Sequence, residues 1–428
     1  VAPVAAIPAT AACPAVPARA LPRADRPRYV LRVDVRPADN VVIGSVDVRF
    51  TPDIPTDRLV FRLWANGPRP AGAGARLDVP EVRVGAHPAT VERPDPTTLV
   101  VRLTSPLAAG QEVGATAPFT LTLPKPVDDR ISRSGDAIRL GSFFPILAWE
   151  PGVGWATDPA VSGFAEASTA PTADFAASVT VPPGFDVLAT GVPDGSGRWF
   201  APAVSDFALS VGHFRQVHGK AGPVDVTVGV DQSVGAADNP DAYLARIIDS
   251  LNDYSARFGP YPWPAYTMAV TPNLRGGIEY PMHVMQGPGS SGRTTPHEAG
   301  HQWFFALVEN DQGRDPWLDE GLASWAEATH ERTLATFVGR AIPFEGKGKL
   351  GQPMAYWEPR QSIYYASVYV QGVQLLAALG PPGTVDCILR QYVARTAFRI
   401  ARPADLLAAA RLVVGDKAAA VFSSFGVA

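Results

Sequence analysis

Apolar residues fall in two rhythms along the chain. From about residue 29 to 230 they recur at every second position, as where Leu31, Val33 and Val35 alternate with Arg32, Asp34 and Arg36. Such a segment turns one face to a core and the other to water. Val46, Val48 and Phe50 alternate with Asp47 and Arg49 in the same way, and similar short runs recur at 59–64, 99–103, 177–181, 207–211 and 224–230. The 39 Gly and 43 Pro are scattered without a fixed period, so short strands between Gly/Pro-rich turns are predicted, which is an all-β pattern. Beyond residue 230 the period becomes helical. Asn239-Pro240 reads as a cap and a helix start, Leu244, Ile247, Ile248, Leu251 and Phe258 share one stripe, and Gly259-Pro260 stops it. Thr295-Pro296 and Asp315-Pro316 read as two more capped starts, and Gly380-Pro381-Pro382 ends a further helix. The expected fold is therefore α+β and multidomain, with an N-terminal all-β domain over 25–219 and a mainly helical domain over 220–428, divided near Gly219.

Composition narrows the functional classes. The chain has 428 residues, 46% of them hydrophobic and 18% charged, enough apolar residues for a sizeable core and too many for disorder. A net charge of −4 supplies no field for gathering phosphate, so a nucleic-acid partner is not expected. No apolar run is long enough to span a bilayer, and the late run 406–414 is cut by Arg411. Cys13 and Cys387 are too few for a disulfide scaffold or a Cys-based zinc cluster, and they leave the redox compartment undecided. The Ala/Pro-rich segment 1–24 is expected to be a flexible tail, because its prolines interrupt a signal-type apolar core. Export to the cell envelope or exterior stays open, and a monomer is expected.

The most specific feature is His297-Glu298-Ala299-Gly300-His301, directly behind the Thr295-Pro296 start. Histidines at i and i+4 project from one helix face and can grip a single zinc ion, while Glu298 lies close enough to deprotonate a water that the metal activates. Catalytic zinc usually takes a third protein ligand and keeps a fourth position open. Glu320, in Trp317-Leu318-Asp319-Glu320-Gly321-Leu322-Ala323 on the next capped helix, is the candidate. A structural zinc would be closed by four protein ligands, and no Cys or further His is placed to help.

At these residues the sequence resembles the gluzincin aminopeptidases of the aminopeptidase-N and leukotriene-hydrolase type. The eighteen residues between His301 and Glu320, and the surround of Glu320, are similar to that family. Gly276-Gly277-Ile278-Glu279-Tyr280 is similar to its exopeptidase motif Gly-x-Met-Glu-Asn, with Ile278 and Tyr280 as departures. Tyr369-Val370-Gln371-Gly372 is similar to its Tyr-x-Lys-Gly stretch, with Gln371 as a departure, and Phe258-Gly259-Pro260-Tyr261-Pro262 resembles the lead-in to the exopeptidase motif. The resemblance implies a saddle-like β domain followed by a thermolysin-like catalytic domain. About a hundred residues follow Glu320, so the family's large helical closing domain is expected to be missing.

The resemblance also implies roles. Glu279 would anchor the substrate's free amine, since burying that charge requires a matching carboxylate, and Gly276 and Gly277 would let backbone approach a substrate as a binding edge does. A tyrosine hydroxyl would steady the developing oxyanion. Tyr364, Tyr365 and Tyr369 lie in the right region, and the match at Gly372 favours Tyr369. His283 is given no role, nor are His87, His213, His218 and His330. The expected activity is removal of N-terminal residues from peptides with one zinc ion, with Glu298 as general base. An endopeptidase or epoxide hydrolase of the same fold is the nearer alternative, and a catalytically silent binding protein the more distant one.

Overall fold

The computed structural model describes residues 13–162 and 169–427. Its first half is β-rich. A nine-stranded sheet has at its centre Arg28–Arg36, antiparallel to Val41–Phe50 and parallel to Ala173–Thr180. Two four-stranded sheets, one built on Thr56–Arg62 and Thr98–Leu107, the other on Ile131–Ser134, Ala137–Leu140, Leu209–Gly212 and Asp186–Ala189, and the small pair Trp149–Glu150 with Gly154–Trp155 make up the rest of this half. The alternation holds where Leu31, Val33 and Val35 are buried while Arg32 and Arg36 are exposed, whereas the runs 59–63 and 207–211 are buried at every position.

The second half is less purely helical than the periodicity suggests. It opens with a five-stranded sheet in the order Phe214–Ala221, Val224–Asp231, Ala265–Val270, His283–Gln286, Gly277–Tyr280. The run 224–230, grouped with the first half on its rhythm, thus pairs with strands of the second, in parallel with Ala265–Val270. Parallel strands need crossovers, and Pro240–Phe258 is one of them. Its cap is as expected: the Asn239 side chain accepts from the Asp241 amide, and Pro240 takes the first position. Leu244 and Ile248 rest over Gly219, where an added Cβ would meet Ile248 at 2.9 Å. Gly219 therefore lies inside a strand, under a helix, and the sheet it belongs to begins at Phe214. One apolar core runs through both halves.

Small residues bring the later helices together. An added Cβ on Gly300 would sit 3.2 Å from Ala326 Cβ and 3.3 Å from Ala323 Cα, so Thr294–His301 lies close on Pro316–His330. Gly321 and Gly372 are tighter: a Cβ on Gly372 would come within 2.6 Å of Gly321 Cα, seating Gln371–Leu379 against Pro316–His330. Gly372→Ala is expected to destabilise the chain by about 1–3 kcal/mol, read by denaturant unfolding. An unchanged midpoint would show that the two helices separate freely.

Residues 13–24 depart from the flexible-tail expectation, and residues 1–12 of that tail lie outside the described residues. Cys13 and Cys387 form a disulfide. Beside it the Gln391 side chain donates to the Pro14 and Ala15 carbonyls, the Ala20 amide donates to Ala394 O at 2.8 Å, and Arg19 donates to Pro260 O at 2.6 Å. The segment is held along the helix Pro382–Thr396 by a covalent bond and backbone partners that a compositional reading does not reveal. Among the described residues no single helix is long and apolar enough to cross a membrane.

Candidate active site

The helix Thr294–His301 sets His297 and His301 one turn apart, as their spacing requires. Its start differs from expectation. Thr295 is not a cap: it is buried, and its hydroxyl pairs with the Gln286 side chain at 2.9 Å, tying the helix to the strand His283–Gln286. Asp315 does precede the helix Pro316–His330, without a side-chain capping bond. Behind His301 the chain continues as a π-helical stretch, Gln302–Leu307, and a second one, Ala366–Val370, carries Tyr369. Such widened turns re-aim side chains and gather at functional sites.

The three expected ligands converge. His297 Nε2 lies 3.1 Å from His301 Nε2 and 3.0 Å from Glu320 Oε2, and His301 Nε2 lies 3.5 Å from the same oxygen. The outer nitrogens are engaged by carboxylates that the sequence reading did not single out: His301 Nδ1 by Asp319 at 2.5 Å, His297 Nδ1 by Glu327 at 3.4 Å. A carboxylate holding the Nδ1 proton leaves the Nε2 lone pair facing inward, as metal-binding histidines require. Glu327 had a signal, since it follows Glu320 by seven residues and so shares its helix face. Arg293 in turn donates to Glu327 at 2.5 Å.

The electrostatics call for a cation at this spot. Burial pulls both imidazoles down but is outweighed: Glu320 and Glu327 raise His297 to about 10, and Asp319 and Glu279 raise His301 well above its ordinary value. Burial also acts against the charge on Glu320, yet the His297 and His301 side chains hold its carboxyl well below the usual range. Once a metal displaces their protons, two imidazole nitrogens and a carboxylate oxygen turned to one point are a donor set that fits zinc.

Glu298 is 3% exposed, and its Oε2 has no hydrogen-bond partner among the described residues. Burial pushes its carboxyl up to about 8, with Glu279 and Glu320 adding to the rise and the two imidazoles opposing it. The strand Gly277–Tyr280 runs over it so closely that a Cβ on Gly277 would lie 2.4 Å from Glu298 Cδ. Gly276, with φ of 80°, makes the turn into that strand. Glu279 is buried, with a carboxylate oxygen within 4.8 Å of His301 and Asp319 ligand atoms. The Tyr369 ring stacks on His297 at 5.7 Å, and its hydroxyl donates to Glu320 Oε1 at 2.5 Å. Gly276, Gly277, Glu279, Glu298, Tyr369 and the three clustered ligand residues line one cleft of about 360 Å³, with Asp128, Arg275 and Tyr365 at its walls.

The departures from the motifs have structural consequences. Tyr280 turns its hydroxyl to Ser142 Oγ at 3.2 Å, in the first half, and packs where any Cβ on Gly141 would meet it. Gln371 ties the loop 346–348 to its helix, donating to Gly346 O and Ser367 O and accepting from the Gly348 amide. His283 is a satisfied core histidine: it meets Ser210 and Thr267 hydroxyls at 3.0 and 2.7 Å, and burial pushes it down to about 3, keeping it neutral.

A β-rich half joined to a half that sets a His-His-Glu cluster beside a sheet edge defines a zinc-metallopeptidase fold. More particularly, it is the fold of the M1 zinc metallopeptidases, and in it the resemblance to gluzincin aminopeptidases is borne out. The M1 zinc metallopeptidase of Deinococcus radiodurans superposes with a TM-score of 0.67 at 20% identity, over 94% of each chain. A two-domain M1 zinc metallopeptidase variant bound to L-arginine gives 0.68, and a Deinococcus radiodurans variant bound to a Tyr-Ser-Ala substrate gives 0.66, with the same identity and coverage. In sequence the chain is similar to aminopeptidase M1-D of Oryza sativa, 29% identical over 144 residues, and to aminopeptidase B of Mus musculus, 30% identical over 95 residues. Those matches cover 29% and 20% of this chain, and it spans about a sixth of the length of either relative, 16% and 15%. No family model matches the chain.

Proposed function

We propose that this chain is a zinc aminopeptidase, a saddle-like β domain carrying a thermolysin-like catalytic domain, that removes N-terminal residues from peptides. The observation that carries the reading is that Glu298 and Glu279 line the same cleft as the His297, His301, Glu320 cluster. Held by those three residues, zinc supplies a Lewis-acid charge that polarises a carbonyl and acidifies water. Asp319 and Glu327 hold the ligand imidazoles in register from behind. Ionised by the charge of a metal held beside it, Glu298, whose buried Oε2 has no partner among the described residues, would accept the proton of the attacking water and return it to the departing amine. Glu279 binds the substrate ammonium, which confines cleavage to the first peptide bond. The strand Gly277–Tyr280 lies at the edge of its sheet, where extended substrate would add on the side not bonded to His283–Gln286.

Tyr369 donates from its hydroxyl to the oxyanion as it forms. Tyr369→Phe is expected to lower kcat by about 10²–10³-fold with KM little changed; a change confined to KM would assign the hydroxyl to substrate binding instead. The reading as a whole is tested with matched peptides, one with a free amine and one acetylated, assayed with zinc and after chelation. Cleavage of the free-amine peptide alone, lost on chelation and restored by zinc, is the expected result. Equal cleavage of both would keep the metal and make the enzyme an endopeptidase. The Cys13–Cys387 disulfide supports action in an oxidising compartment, outside the cytosol.

A further inference from the structure

Two loops from different halves of the chain form part of the cleft wall. Asp128, Asp129 and Arg130 come from the loop 127–130, and Leu274, Arg275 and Gly276 from the loop 271–276 that leads into the Glu279 strand. Neither loop is regular secondary structure, and the Asp129, Pro272 and Asn273 carbonyls have no backbone partners among the described residues. Arg139, on the strand Ala137–Leu140 and only 2% exposed, supplies them. Its Nε donates to Asp129 O at 3.1 Å, and Nη2 to Val127 O at 2.8 Å and Asn273 O at 3.0 Å. Nη1 donates to Pro272 O at 2.7 Å and Thr271 Oγ1 at 3.0 Å. Every N–H of the guanidinium fork is thereby committed. Two of these bonds go to the first loop and three to the second.

A charge buried this deeply is costly unless its hydrogen bonds are needed, and simple filling would be met by an apolar side chain. Burial pushes the guanidinium down to about 10, partly offset by Asp128 and Asp129, so it stays charged at neutral pH. The same seam is closed at its outer edge. The Arg275 amide and Nε bind the two oxygens of Asp128, each at 2.9 Å, and Asn273 Nδ2 donates to Ser134 Oγ at 2.6 Å. Glu279 follows Arg275 by four residues in the chain.

We infer that Arg139 is a positioning residue for substrate binding: by locking the loop 127–130 to the loop 271–276 it sets where Glu279 meets the substrate amine. This deepens the aminopeptidase reading and rests on it. An amine anchor serves ground state and transition state alike, so its misplacement raises KM and spares kcat. A lysine brings three donors to the seam in place of five and restores only part.

The test measures kcat and KM for the zinc-loaded full chain on the free-amine peptide, with the acetylated peptide as control. Arg139→Met is expected to raise KM by up to about a hundredfold, the scale of an ångström-size misplacement, with kcat and zinc content held. Arg139→Lys is expected to fall between it and the parent. Should Arg139→Met fail to fold, Arg275→Gln and Asp128→Asn open the seam from its outer edge, and a KM unchanged in both overturns the inference. A loss in kcat alone, or a loss of zinc, overturns it too. A parent that cleaves both peptides equally removes the aminopeptidase reading and this inference with it, whereas a discriminating parent whose KM survives Arg139→Met removes only the inference.

Discussion

Exchanging Glu298 for Gln is expected to lower kcat by about 10²–10⁴-fold and to leave the zinc content at one ion per chain. The amide has the shape of the carboxyl but cannot take up a proton at neutral pH. Shape matters here, because the Gly277 backbone lies directly over Glu298 and leaves no room for a bulkier or displaced group. The cluster atoms belong to His297, His301 and Glu320, and Asp319 and Glu327 support the imidazoles without help from Glu298. Metal binding and proton transfer are thus carried by different side chains, and the variant separates them. Steady-state kinetics with elemental analysis of the same sample makes the check. Activity within tenfold of the parent would take the general-base role from Glu298, and loss of zinc would make it part of the metal site.

The features that were legible in the sequence are those in which a local period dictates geometry. Histidines four apart on a helix share a face whatever the rest of the fold does, and Leu31, Val33 and Val35 alternate inward on any half-buried strand. Glu320 was reachable because the chain between the two helices resembles known spacing, and the fold then brings its carboxylate within 3.0 Å of His297. What stayed hidden depends on long-range pairing. Cys13 and Cys387 are 374 residues apart, and nothing in the sequence near either announces the other. The parallel pairing of Arg28–Arg36 with Ala173–Thr180, and the membership of Val224–Asp231 in the second sheet, are matters of topology that alternation cannot decide. Thr295 looked like a cap because a cap and a buried hydroxyl use the same residue type, and Gln286, its partner, lies on a strand whose place was unknown. Arg139 reads in sequence as one more polar position on a strand; only the meeting of two irregular loops around it gives its fork something to hold.

Removing the carboxylate of Glu320 is expected to abolish zinc-dependent stabilisation together with activity. In the folded chain the Glu320 carboxylate faces two imidazoles whose inner nitrogens are 3.1 Å apart, and it lies 3.0 and 3.5 Å from those nitrogens. Glu320→Ala leaves a two-ligand site, too few for tight zinc binding. Metal that binds the native chain and not the unfolded one stabilises it by about 4 kcal/mol at a thousand times its dissociation constant. The parent should therefore unfold at a clearly higher temperature with zinc than after chelation, whereas Glu320→Ala should unfold at one temperature in both. This readout needs no substrate and so stands apart from the question of specificity. Tyr369 loses its 2.5 Å acceptor in the same variant, so part of any activity loss would belong to the tyrosine, but the thermal difference between zinc-loaded and chelated samples reports the metal alone. A variant that still gains stability from zinc would mean that a neighbouring carboxylate has taken over, and Glu279, already grouped with His301 and Asp319 within 4.8 Å, is the one placed to do so.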